Sequence, residues 1–320
     1  MKKWNILNFA DLEHCRGALD CLGSVAEVTS LPPSEAALRL LGKGLPAFDA
    51  YIATLQVRLT GDIIAQCPHL RVVATPSTGT DHLDVACLAA RAVHLICLKD
   101  ETEFLSRVTC TAEMAWGLLL AVARKLPWSF DAARQGIWAR DRFRGHQLSG
   151  MTLGVLGYGR LGRIVADYGL AFRMRVLACD VRPVDVAPGI ELVDFDTLVR
   201  ESDVLSVHIH LTPENTGLVS LDVLSRMKSG AILVNTSRGA IVDEVALVDA
   251  LERGHLGGAG LDVIHGEWDS DLTLHPIIRY ANTHDNLVIS PHTGGVTYEA
   301  QAMTLEFTAR KLLDYLRSLG

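Results

Sequence analysis

The apolar positions of this chain change their period along its length. Short strand-like runs at 6–9, 26–29, 50–53, 71–74 and 94–97 alternate with segments of helical spacing, among them 61–65 and 84–92, where Asp84 stands as an N-cap. Such alternation predicts a parallel sheet covered on both faces, so the first hundred residues read as a small doubly wound α/β unit. From 106 to 125 the pattern becomes one long helix that Pro127 ends; Met114, Trp116, Leu118, Leu119, Leu120 and Val122 leave it no polar face. The polar stretch 128–150, with Arg134, Trp138, Arg140, Arg142 and Arg144 interleaved, reads as a loop or a subunit contact. A second strand–helix series begins at 152. Strands are expected at 152–156, 175–179, 204–209, 231–235, 259–263 and 287–290, the rhythm of a dinucleotide-binding sheet. The last segment, 298–319, reads as a helix too short to be a domain, which must pack on something already made.

At 320 residues the chain is about twice a typical domain, so two domains are expected. Apolar residues make up 49% and charged residues 21%, a globular balance. Thirty Lys and Arg against 37 Asp and Glu leave a formal charge of −7, which argues against a nucleic-acid surface. The basic–aromatic run near Trp138 is short and broken by Asp131 and Asp141. Asp11 and Glu13 intrude before any apolar core of a secretory signal, and the apolar stretch 114–123 is far below the ~20 residues of a membrane span. Seven scattered cysteines form no Cys-x-x-Cys pair; they read as small buried hydrophobes of a reducing, cytoplasmic compartment, with no disulfide frame and no metal site.

The strongest motif is Gly157-Tyr158-Gly159-Arg160-Leu161-Gly162, placed between the expected strand 152–156 and a helix with apolar Leu161, Ile164, Val165 and Tyr168. Gly157 permits the tight turn, Gly159 lets a pyrophosphate approach the backbone, and Gly162 lets the helix sit close on its strand. The helix N-terminus then offers unpaired N–H groups to phosphate. Asp180, at the end of the next strand, stands where a carboxylate binds both ribose hydroxyls and repels a 2′-phosphate, so NAD is preferred over NADP. Arg182 is read as a solvated loop residue that would favour a phosphate only by swinging inward.

Ligands of a doubly wound sheet sit outside the carboxyl ends of its strands. Thr236, Ser237 and Arg238 follow one expected strand, Asp262 and Glu267 the next, and His292 a third. Singly, each has an ordinary structural reading; together, beside a cofactor turn, they describe hydride transfer at a hydroxyl-bearing carbon. His292 has the near-neutral pKa of an acid–base catalyst, Glu267 beside it would raise that pKa, and Arg238 would hold a substrate carboxylate and polarise the adjacent carbonyl. Reduction of a 2-keto acid should then weaken as pH rises through the histidine's titration.

The segments Thr78-Gly79-Thr80-Asp81, 153–162, 233–240, Gly260-Leu261-Asp262-Val263 and Ser290-Pro291-His292-Thr293-Gly294-Gly295 make the chain resemble the D-isomer-specific 2-hydroxyacid dehydrogenase family. That family includes 3-phosphoglycerate dehydrogenases and glyoxylate/hydroxypyruvate reductases. The resemblance implies Arg238, Glu267 and His292 as the catalytic residues. It implies Asp262 as the acid that holds the nicotinamide carboxamide, with the cofactor lined by Gly157–Gly162, Asp180, Thr236, Ser237, Asp262 and Gly294. Thr78 and Gly79 match the turn that binds the substrate carboxylate. The implied fold is a doubly wound dinucleotide-binding domain, 105–295, inserted into a smaller flavodoxin-like α/β substrate domain, 1–104 with 296–320. Homodimerisation through the cofactor domain, with 128–150 in the interface, is implied as well. Ser77 stands where the family often has glycine, and Trp268 where it commonly has proline. Thr54 and Gln56 stand where phosphoglycerate enzymes carry arginines, leaving only the offset Arg58, which argues against that substrate, and the chain leaves no room for a serine-sensing regulatory domain. A second reading is an NAD(H)-sensing, corepressor-like scaffold with little turnover.

Overall fold

The computed structural model describes residues 3–10, 15–34, 48–268 and 271–319. They divide into two compact units, Met1–Val108 with Val296–Gly320, and Thr109–Gly295.

In the first unit, β1 (Trp4–Asn8), β2 (Ala26–Ser30), β3 (Ala50–Ile52), β4 (Val72–Ala74) and β5 (His94–Ile96) form a parallel sheet in the order β2-β1-β3-β4-β5, the flavodoxin-like order. Ile6, Ile52, Val72 and Ala74 face one core; Leu7, Tyr51 and Val73 face the other. The C-terminal helix, Tyr298–Ser318, covers the first face with Leu305, Ala309, Leu312, Leu313 and Leu316, so the last segment does pack on the first unit. Thr297 caps it by accepting the Ala300 N–H at 3.1 Å. Asp84 caps the helix Val85–Ala90 in the same way, as expected.

The second unit carries β6 (Thr152–Leu156), β7 (Arg175–Cys179), β8 (Ile190–Leu192), β9 (Val204–Val207), β10 (Ala231–Asn235), β11 (Leu256–Leu261) and β12 (Leu287–Ile289). The order β12-β11-β10-β9-β6-β7-β8 is all parallel and reverses direction between β6 and β9, the switch point of a dinucleotide-binding sheet. Successive residues alternate between two cores: Val176, Val204, Ile232 and Val234 on one face, Leu177, Leu205 and Leu233 on the other.

Three sequence readings are corrected. The strand β8 had no expectation, because it is a three-residue edge strand with only Ile190 buried. The helix expected over 106–125 is shorter, Cys110–Ala123; residues 106–109 are not helical, and a separate short helix, Thr102–Leu105, lies before them, on the other side of the division between the units. Periodicity carries the helix too far back because buried Val108, outside it, keeps the apolar spacing of Ala112, Ala115 and Leu119. Pro127 opens a new helix, Leu126–Arg134, after Lys125 turns the chain at φ 51°, so part of the expected loop 128–150 is helical. Thr102–Ala123 is the one described stretch apolar and long enough to cross a membrane. Its larger helix is a core element: a Cβ at Gly258 or Gly260 of β11 would stand 2.4 Å from Val122 or 2.9 Å from Leu118.

Candidate active site

The glycine turn follows β6 at the switch point. Gly157 has φ 94°, and a Cβ there would meet the His208 carbonyl oxygen at 2.6 Å; at Gly162 a Cβ would meet the Gly157 oxygen at 2.0 Å. The fold itself demands both. Gly159 differs, since a Cβ would find only an Arg182 nitrogen at 3.9 Å. The space it keeps open lies at the start of the helix Arg160–Ala171, an end that no side chain caps. That is the cradle a pyrophosphate needs. Leu161 packs against the core, while Arg160 is partly buried beside Cys110, and desolvation draws its guanidinium below the ordinary arginine range.

Asp180 follows β7 with its side chain only 6% exposed. One oxygen accepts the Tyr158 N–H at 3.0 Å; the other accepts the Arg182 N–H at 3.0 Å and Nε at 3.2 Å. Burial pushes this carboxyl up, but the Arg182 and Tyr158 hydrogen bonds outweigh it and hold the group below the usual carboxylate range. The Tyr158 ring is buried under Arg163 and its N–H is taken by Asp180, so this residue builds the turn and leaves its side chain in the core.

Across the sheet, β10, β11 and β12 are neighbours and end on one edge. At the end of β10, the fully buried Asn235 accepts the Ser237 N–H at 3.0 Å and donates to the Arg238 carbonyl at 2.9 Å. It fastens the turn that presents Thr236, Ser237 and Arg238. The Thr236 hydroxyl oxygen is buried with no hydrogen-bond partner among the described residues, an acceptor–donor left for a ligand. Ser237 donates to the Val207 carbonyl at 2.8 Å, and Arg238, half-buried, lays one guanidinium nitrogen on the Ser237 carbonyl at 2.8 Å.

Asp262, 1% exposed, organises the loop after β12. Its carboxylate accepts the Ser290 hydroxyl at 2.6 Å, the Thr293 N–H at 2.8 Å and the Gly294 N–H at 2.7 Å, and its carbonyl accepts the His292 N–H at 2.8 Å. A Cβ at Gly294 would collide with that carboxylate at 2.7 Å. His292 is held in the left-handed region at φ 52°, a conformation costing of order 1 kcal/mol or more that this knot over-determines. The result is one contact: Nδ1 of His292 lies 2.7 Å from Oε1 of Glu267, both side chains about 15% exposed. Trp268 stacks on the imidazole, centroids 5.7 Å apart. The structure thus joins Glu267 to His292 and places Arg238 and Asp262 on the same edge. Thr78 and Gly79 lie in the other unit, in the turn after β4, where Ser77 donates to the Gly79 carbonyl at 2.7 Å. Asn235 and Ser290 escaped the sequence reading; their signal was only a polar residue at a strand end.

The family model of the D-isomer specific 2-hydroxyacid dehydrogenase NAD binding domain matches residues 116–294. The D-3-phosphoglycerate dehydrogenase of Mycobacterium leprae is 38% identical over 260 residues, covering 80% of this chain and 47% of that protein. The chain therefore spans about half the length of the phosphoglycerate relatives it matches. The hydroxypyruvate reductase of Thermotoga maritima is 34% identical over 261 residues, 82% of either chain. Among solved structures, a D-lactate dehydrogenase from Aquifex aeolicus complexed with NAD and lactic acid superposes with a TM-score of 0.85 at 25% identity, covering 98% of this chain and 96% of that one.

Proposed function

Since this chain belongs to the D-isomer-specific 2-hydroxyacid dehydrogenase family, we propose that it is an NAD-dependent oxidoreductase interconverting a small D-2-hydroxy acid and its 2-keto acid. The observation that carries this reading is the His292–Glu267 hydrogen bond of 2.7 Å on the sheet edge that also bears Arg238.

The nicotinamide supplies or accepts the hydride; every other part of the chemistry falls to side chains. Glu267 accepts Nδ1–H of His292, which fixes the ring's tautomer and rotation and leaves Nε2 to exchange a proton with the substrate oxygen. An ionised Glu267 also stabilises the imidazolium that protonates the oxygen during reduction. Arg238 offers a planar fork to the substrate carboxylate and polarises the neighbouring carbonyl. Gly157, Gly159, Gly162 and the helix they open would hold the pyrophosphate, Asp180 the ribose hydroxyls, and Thr236, Ser237, Asp262 and Gly294 the nicotinamide end.

Asp180 favours NAD over NADP, because its buried carboxylate would face a 2′-phosphate. We further place the enzyme in the cytoplasm as a homodimer joined through the second unit, where Trp138 at 87% and Phe130 at 60% exposure offer an apolar surface. A panel of short 2-keto acids, assayed with NADH and with NADPH, tests the reading: NADH should be oxidised with at least one of them and NADPH far more slowly. Absence of turnover across the panel, in protein that binds NADH, would discard the enzymatic role.

A further inference from the structure

Behind the Glu267–His292 pair, a second acid and a second imidazole grip the loop from which Glu267 is delivered. Glu244 opens the helix Glu244–Glu252, and its side chain is 13% exposed. Its Oε1 accepts the His265 backbone N–H at 2.6 Å. Its Oε2 faces Nε2 of His275 at 3.6 Å, and that nitrogen lies 2.9 Å from the His265 carbonyl oxygen. Both neighbours of the nitrogen are acceptors, so it carries the proton and donates. The N–H and C=O of one loop residue are therefore held by side chains from two other elements.

The neighbouring geometry gives this hold its direction. Gly266, at φ 71°, reverses the chain immediately after His265, and the next residue is Glu267. On its other side the loop lies against Gly239, where a Cβ would stand 2.0 Å from the Ile264 carbonyl carbon and 2.3 Å from the His265 nitrogen. Gly239 directly follows Arg238. Burial pushes the Glu244 carboxyl above its ordinary value, and the Glu267 charge adds to that, against the His265 N–H and the His265 and His275 rings that draw it down. A buried acid kept at such a cost needs a compensating role.

We propose that Glu244 and His275 are positioning residues for the Glu267–His292 pair, holding the loop 264–267 where the Glu267 carboxylate meets Nδ1 of His292. The proposal rests on the reading of His292 as the proton-transfer group. Release of the loop lets Glu267 drift, and the imidazole loses the partner that fixes its tautomer. A displacement of that order lowers the rate of the chemical step by about 10–100-fold while leaving cofactor binding alone.

The test uses the full-length protein and two readouts. In proton NMR, an imidazole Nδ1–H held by a carboxylate gives a far-downfield resonance, assigned here by its loss in His292→Asn. The signal is expected in the wild type and in Glu244→Gln, which keeps an acceptor for the His265 N–H, and is expected to vanish in Glu244→Ala. In steady-state reduction of a 2-keto acid, Glu244→Ala should lower kcat about 10–100-fold with the KM for NADH nearly unchanged, and Glu244→Gln should recover most of it. His275→Leu, which removes only the donor to the His265 carbonyl, should fall between them and serves if Glu244→Ala does not fold. Variants that keep both the resonance and the wild-type kcat overturn the proposal. If the wild type reduces no 2-keto acid, the enzymatic reading fails, and the resonance alone still decides whether the loop is held.

Discussion

The two wings of the seven-stranded sheet are built for their tasks by different means. On the β6–β8 side the working surface is main chain: a turn of glycines, a bare helix end and one carboxylate, Asp180, that accepts the turn's own Tyr158 N–H. On the β10–β12 side it is side chains held by other side chains. Asn235 fastens the Arg238 turn, Asp262 gathers Ser290, Thr293 and Gly294, and Glu267 reaches His292. A phosphate can be met by amides contiguous in sequence, since any properly turned backbone supplies them. An acid–base pair needs two side chains at one fixed distance, drawn from separate strands. Each must be immobilised from outside its own loop.

The largest effect should separate the wings outright. His292→Asn, chosen because asparagine tolerates φ 52°, should lower kcat by about 10³-fold, with NADH affinity unchanged in a fluorescence titration. A parallel loss of NADH binding would mean that the wings are not independent. Gly162→Ala forces a Cβ to within 2.0 Å of the Gly157 oxygen and should destabilise the protein by about 3 kcal/mol in a urea titration.

A pH effect belongs to the seam between the wings. His208, just after β9, is partly buried, with Nε2 on the Ser206 hydroxyl at 2.8 Å and Nδ1 shielded from solvent, and this desolvation lowers its pKa to about 4. The unfolded chain takes up this proton near pH 6.5, whereas the folded chain does so only near pH 4. Stability should therefore fall as pH drops through that window, by roughly 3 kcal/mol at its lower end, and stay flat above it with respect to this group. Urea titrations at several pH values, compared with His208→Gln, would reveal the slope; an unchanged slope in the variant assigns it elsewhere. The smallest effect sharpens the difference between glycines. Gly159→Ala meets nothing closer than 3.9 Å and should leave stability within about 0.5 kcal/mol while weakening NADH binding about tenfold.

Amino-acid order by itself determined the parallel α/β plan, the glycine turn with Asp180 after it, and the list of strand-end residues from which a site could be drawn. These signals are local: hydrophobic period, glycine spacing and the residue that follows a strand all lie within a short window. Tertiary structure decided the rest. Edge strand β8 buries too little to leave a pattern, and Val108 keeps the apolar spacing of Ala112, Ala115 and Leu119 although 106–109 is not helical, so periodicity extends the helix past its true start. That Tyr158 turns its ring into the core, that Asp262 knots the His292 loop, and that Glu244 reaches His265 are facts about hydrogen bonds between residues 21 to 32 positions apart. Such partners are chosen by which strands lie side by side in the folded sheet, because buried polar groups must be satisfied by whatever the packing brings within reach.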